Sequence, residues 1–243
     1  MKYFIGELIG TYILSSSLNF MATYKADGTI SISLVEIIIG FLIAIQIARK
    51  LSGAHVNPAV TLTFYINTPY AERQHVLPQY REMILGQLVG ALLCPLFSQI
   101  LIGNSLTLKA STESNFFTAF VMEMLGSAVF YSVILFQGKK EFNLIGNDEV
   151  ISSIVVAMGL AGGISIAGNE SGAGLNPAIS FCQNLVTFLK TKDIKAFNDL
   201  PIYLFAPVVG AFLANSLFDY FLLDELSKDK EEKKQEVGEL RDY

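Results

Sequence analysis

Charge is scarce in this chain: 16% of 243 residues are charged and 52% are hydrophobic, against roughly a quarter charged in a soluble domain of this size. The scarcity is uneven. Charges gather in short clusters separated by long apolar runs, which makes the chain a polytopic membrane protein. Only two cysteines are present, Cys94 and Cys182, both in apolar surroundings, so no disulfide framework is expected. No nucleophile–base or metal-ligand set is visible, which argues against an enzyme and against a bound metal or other cofactor. No small-residue cleavage site follows Met1-Lys2, so the first span is expected to serve as its own signal anchor. The one dense charge run, Lys228 to Asp242, reads as a solvated tail.

What is present is a repeated tripeptide. Asn57-Pro58-Ala59 recurs as Asn176-Pro177-Ala178, and each copy follows a small-residue run, Ser52-Gly53-Ala54-His55-Val56 or Ser171-Gly172-Ala173-Gly174-Leu175. Proline suits the first helical position, with the preceding residue as N-cap. An unpaired amide in hydrocarbon costs several kcal/mol, so an asparagine fixed at each helix start implies a polar lining at membrane depth. Six stretches are long enough to cross a bilayer, at about 3–24, 32–50, 82–102, 115–137, 150–168 and 201–223. Two further segments, 57–67 and 176–189, start at the tripeptides and are long enough to reach only about half of the core.

The two halves repeat. Gly6-Glu7-Leu8-Ile9-Gly10-Thr11 echoes Met122-Glu123-Met124-Leu125-Gly126-Ser127, and Gln87-Leu88-Val89-Gly90-Ala91 echoes Pro207-Val208-Val209-Gly210-Ala211. Glu7 precedes Asn57 by 50 residues and Glu123 precedes Asn176 by 53. Three spans per copy is an odd number, so the second copy is inverted in the membrane, an arrangement that builds a central site from broken helices. The expected organisation is an all-α membrane domain over 1–223, repeat one 1–110 and repeat two 111–223, followed by a charged cytosolic tail, 224–243. With both termini cytosolic, twelve Lys and Arg fall inside and five outside, the sense the positive-inside rule favours. Gly6, Gly10, Gly90, Gly126 and Gly210 read as close-packing positions. Asn169-Glu170-Ser171 is a glycosylation sequon beside the second tripeptide. Gly138-Lys139-Lys140-Glu141 reads as a short cytosolic turn, with capping of a pore as the alternative.

Together these residues resemble the aquaporin, or major intrinsic protein, family over about 3–223. Ser52 to Thr61 is similar to that family's first signature loop, and Gly172 to Ala178 matches the second. The resemblance implies six transmembrane helices plus two half-helices, assembled as a homotetramer of independent pores in a lipid bilayer, in the plasma membrane or an intracellular one. The partners implied are water and small neutral solutes, with no nucleic acid. Asn57 and Asn176 would donate to the permeant at the midplane, where two half-helix N-termini also oppose cations. Glu7 and Glu123 would buttress the signature loops, and His55 would tie down its own.

The chain departs from the family pattern at Ile179, where an arginine usually follows the second tripeptide. Family spacing places the other outer-constriction positions at Ile37, Ala173 and Ile164, with Ile166 an alternative in the fifth span. All are apolar, and Ser180 stands where glycerol-type members usually carry aspartate. Losing the guanidinium removes a cation barrier and several donors. The expected function is a passive channel for water and small uncharged solutes with a relaxed, apolar filter. The alternatives are a glycerol- or urea-type facilitator with little water selectivity, a coupled transporter, and a non-conducting structural membrane protein.

Overall fold

The computed structural model describes residues 1–24, 30–139 and 148–239. Lys25, Lys140, Glu141 and Arg241, which entered the orientation count and the turn reading above, lie outside the described residues. Eight α-helices follow one another among those described: α1 Lys2–Phe20, α2 Leu34–Ser52, α3 Pro58–Asn67, α4 Arg73–Ile102, α5 Phe116–Gln137, α6 Glu149–Ser171, α7 Pro177–Thr191 and α8 Leu200–Glu239. The order of six long helices and two short ones is the one expected.

Local chemistry sets most of the ends. Ser33 and Glu36 form a reciprocal capping box at the start of α2, satisfying amide donors that the first turn leaves free. Asn115 caps α5 and Asp148 caps α6 through their side chains. Both α2 and α6 stop at a glycine in the left-handed region, Gly53 (φ 92°) and Gly172 (φ 82°), where any other residue carries a Cβ penalty.

Boundaries moved in four places. The first helix ends at Phe20, before 24, because Thr23–Tyr24 pairs as a short antiparallel ribbon with Ile30–Ser31, Thr23 opposite Ser31. The fourth starts at Arg73, not near 82: its polar first turns are helical without being apolar. The sixth runs to Ser171, so the glycosylation sequon forms its last turn, with the Ser171 hydroxyl buried and bonded to Glu123. The charged segment expected as a tail continues α8 as far as Glu239, in keeping with its helix-favouring Lys and Glu content.

By length and composition, α4, α5, α6 and the stretch Ile194–Leu222 are apolar enough to cross a membrane. The first two helices have 19 residues each, about 28 Å at about 1.5 Å per residue, but α1 carries the polar run Ser15-Ser16-Ser17 with Asn19, and α2 carries Glu36, Arg49 and Lys50. Two of these side chains are engaged within the protein: Asn19 is buried and bonded, and Arg49 donates to the Glu149 carbonyl at the start of α6.

The repeat is visible in the packing. Helix α1 lies against α2 and α4, and α5 lies correspondingly against α6 and α8. A Cβ at Gly6, Gly10, Gly90, Gly126 or Gly210 would come within 2.4–2.8 Å of an atom of a neighbouring segment. Gly90, Gly126 and Gly210 permit backbone-to-backbone approach, as at Gly90 against the Leu8 carbonyl, while Gly6 and Gly10 make room for side chains, those of Leu51 and Val56 among them. Between the halves, one apolar core joins residues of both, including Leu14, Phe41 and Val56 with Phe130, Leu160 and Leu175.

Candidate functional site

The loops before α3 and α7 have the same unusual backbone. Ala54 and Val56 in one, and Ala173 and Leu175 in the other, all have positive φ, between 45° and 55°. For a β-branched residue such as Val56 this is strained geometry, sustained only by strong surroundings. The surroundings are two buried carboxylates. Glu7 accepts from the His55 amide at 2.9 Å, from the Val56 amide at 2.6 Å and from the Gln87 side chain at 2.7 Å. Glu123 accepts from the Gly174 amide at 3.2 Å, from the Leu175 amide and from the Ser171 hydroxyl. Both carboxylates are fully buried, so each has traded hydration for three donors.

The repeats differ in how the loops are backed. In the first, Gln87 bridges Glu7 to Thr61 at 3.0 Å, His55 Nδ1 lies 3.2 Å from the same hydroxyl, and the imidazole stacks on Phe64. In the second, Gly174 stands in place of His55. A Cβ there would meet the Tyr203 ring at 2.6 Å, and the Tyr203 hydroxyl donates to the Ser171 carbonyl. One loop is locked by an imidazole and the other by a phenol from α8.

The loops meet at the asparagines. Asn57 Nδ2 donates to the Leu175 carbonyl at 2.7 Å, and Asn176 Nδ2 donates to the Val56 carbonyl at 2.8 Å. Each side-chain oxygen meanwhile caps its own half-helix: Asn57 accepts from the Ala59 amide, and Asn176 from those of Ala178 and Ile179. Pro58 and Pro177 fill the first helical positions. An amide nitrogen has two hydrogens, so after one is used across the junction each asparagine retains a second. Asn57's second lies towards the Tyr131 hydroxyl, but at 3.5 Å, a length that makes a weak bond at best. The two N-termini point their partial positive charge at this junction.

Above it lies a cavity of about 800 Å³, bounded by both asparagines, the loop 172–175, parts of α1, α2, α5 and α6, and the extended segment 106–109. Ile37, Ile164, Ala173 and Ile179 all line it, and Ile164 does so where Ile166 does not. Lys109 brings the single charged side chain in that wall, among the described residues. The 106–109 segment was not foreseen from sequence. It is held by Asn19, which accepts from the Leu106 amide, and by Asn184, which both accepts from and donates to Leu108. Thr107 and Thr187 share a hydrogen bond at 2.6 Å. Three further residues also gave no sequence signal: Phe41 and Phe130 in the wall, and Tyr131, whose hydroxyl donates to Leu175 at 2.8 Å. Ser180 turns inward and bonds the Asn176 carbonyl at 2.9 Å.

The family model described as Major intrinsic protein matches residues 1–218. The chain belongs to the major intrinsic protein family. It is an integral membrane protein of a family of channels. Among its relatives, Aquaporin AqpM of Methanothermobacter marburgensis is 28% identical over 243 aligned residues, covering 90% of this chain and 96% of the relative. Aquaporin NIP1-1 of Zea mays is 30% identical over 217 residues, covering 85% and 70% respectively. The X-ray structure of the aquaglyceroporin from Plasmodium falciparum superposes with a TM-score of 0.66 at 22% identity, over 90% of this chain and 94% of that one. Within the major intrinsic protein fold, the arginine expected after the second tripeptide is replaced by Ile179, which is buried at 2% exposure and faces the cavity.

Proposed function

We propose that this chain is a passive channel for water and small uncharged solutes, with Ile37, Ile164, Ala173 and Ile179 as a relaxed apolar constriction. The observation that carries the reading is the junction itself. Two asparagines, each capping a half-helix and bonded to the opposite loop, keep a spare N–H at the floor of an apolar cavity. Such a site offers donors to the oxygen of a neutral permeant and a positive potential to a cation, which opposes cation passage. The aquaporin names of the relatives agree with water as a permeant.

In this reading Glu7, Glu123 and His55 hold the loops and do not touch the permeant. The pore domain spans 1–223 as two inverted repeats, the protomers form a homotetramer, and both termini face the cytosol. Stopped-flow light scattering of proteoliposomes, challenged separately with impermeant osmolyte, glycerol and urea, tests it. Osmotic water permeability above that of empty vesicles, with measurable solute entry, is the expected result. Permeability equal to empty vesicles would remove the channel reading, and flux that follows a proton or sodium gradient would replace it with coupled transport.

A further inference from the structure

Beside Ile37 and the asparagines, the wall of the cavity also carries two aromatic side chains. Phe41 stands one helical turn beyond Ile37 on α2, and Phe130 lies on α5 seven residues beyond Glu123; both line the cavity together with Val56, Asn57 and Asn176. Their rings meet edge to face, centroids 5.7 Å apart at 71°, and each residue is 3% exposed. The level of the pair in the pore follows from its neighbour. Tyr131 donates to the Leu175 carbonyl, the same oxygen that accepts from Asn57. Phe130 packs against the Tyr131 ring with centroids 5.4 Å apart. Resting on the channel reading above, we infer that Phe41 and Phe130 form a second, aromatic constriction facing the asparagine pair, and that this constriction sets the size limit for solutes.

Three physical points support this assignment. The mouth is poorly suited to the task, because Ala173 is small and Ile164 is only partly buried there. The aromatic pair is stiff: an edge-to-face contact fixes the two rings against each other, and the Tyr131 hydrogen bond ties the next residue of α5 to the signature loop. The polar inventory at this level is also small. Each asparagine spends its oxygen on a half-helix and one N–H on the opposite loop, so at most two N–H donors face two hydrocarbon rings. Water needs few partners and fits a single file. A polyol or urea must turn a face towards the rings and leave polar groups unpaired, which costs about 1–3 kcal/mol for each group.

The test uses the full-length protein in proteoliposomes, as wild type and as Phe41→Ala, Phe130→Ala and Phe130→Leu, with assembly checked by size-exclusion elution. Wild type should conduct water. Each alanine variant should raise glycerol and urea permeability relative to water by about tenfold, the order that steric discrimination in an apolar pocket provides. Phe130→Leu keeps most of the packing volume and should give a smaller rise in the same direction, so it decides the matter if the alanine variants do not assemble. Unchanged solute-to-water ratios in variants that assemble, while wild type conducts water, would overturn the aromatic constriction and leave the channel reading standing. A wild type that conducts neither water nor solute would overturn both.

Discussion

Asn176 reaches across 120 positions of chain to give its side-chain N–H to the carbonyl of Val56, 2.8 Å away. The positive φ of Val56, 46°, belongs to the loop geometry that presents this oxygen. A conformation of that kind costs about 1–3 kcal/mol, and the Glu7 carboxylate and the Asn176 amide bind its two backbone groups. The reciprocal contact, Asn57 to Leu175, is built in the same way but is not equally exposed to loss. Leu175 has a second donor in Tyr131, whereas no second donor to Val56 is found among the described residues.

The asymmetry predicts that Asn176→Ala destabilises more than Asn57→Ala. The first removes a cap shared by two amides and strands a buried carbonyl. The cap is worth about 1 kcal/mol and the orphaned oxygen about 1–3 kcal/mol. The second removes a cap to one amide and leaves Leu175 bonded to Tyr131. Cys94 and Cys182 are free and buried, so the thermal appearance of thiol reactivity reports unfolding directly. Equal melting temperatures for the two variants would contradict the argument.

Tyr131→Phe tests the same oxygen from the other side. Alone it should cost only about 0.5–1.5 kcal/mol, the net value of an ordinary hydrogen bond, since Asn57 still reaches Leu175. Combined with Asn57→Ala it should cost more than the sum of the two, by about 1 kcal/mol, because both donors to one carbonyl are then gone. A thermal-melt double-mutant cycle reads the coupling, and simple additivity would mean that the hydroxyl is not a working partner of Leu175.

Much of this site is written in the sequence, for a physical reason. Helix starts, intramembrane carboxylates and repeat spacing are local or periodic properties, so Asn57, Asn176, Glu7 and Glu123 stand out as residues. Ile37, Ala173, Ile164 and Ile179 came instead from the family resemblance, and all four line the cavity. What stayed hidden depends on register between helices. Gln87 looks like any polar residue in a span until α4 packs on α1 and turns it to Glu7. Phe41 and Phe130 are indistinguishable from lipid-facing phenylalanines until the two rings are found 5.7 Å apart in the cavity wall. The 106–109 segment follows no periodic pattern at all; three polar side chains from α1 and α7, Asn19, Asn184 and Thr187, hold it down, the last through Thr107. The start of α4 at Arg73 carries no such signal, because apolarity marks where a helix enters a membrane, not where it begins.

The carboxylates should tolerate little change. Glu123→Gln keeps the size but turns an NH₂ group towards at least one of the three donors that Glu123 now accepts. Each donor left unpaired in this buried place costs about 1–3 kcal/mol, so the second signature loop should lose its fixed form and the yield of assembled protein should fall. Gln87→Leu is the milder comparison, since Glu7 retains both backbone amides of its loop. Size-exclusion elution and protease sensitivity after solubilisation would compare the pair. A Glu123→Gln protein as well assembled as Gln87→Leu would show that the carboxylate is not what holds the loop.

Ile179→Arg bears on the mouth of the pore. The side chain at this position is buried and faces the cavity with Ile37, Ile164 and Ala173, so a guanidinium would narrow the wall and add fixed positive charge. Its repulsion of a monovalent cation is about 4 kcal/mol at about 4 Å for an effective dielectric near 20, enough to suppress any cation leak. Both water and solute flux should fall, because the arginine occupies volume beside the alanine at 173. The substitution places a charge among apolar side chains, which is costly in a membrane protein, so assembly must be verified before flux is compared. The contrast with the aromatic pair decides where selection occurs. If the mouth governs entry, Ile179→Arg lowers the solute-to-water ratio even in a Phe130→Ala background. If the rings facing the asparagines govern it, the wild-type ratio hardly responds to arginine at 179, and the ratio opened by Phe130→Ala becomes sensitive to it, since a second barrier matters only once the first has been removed.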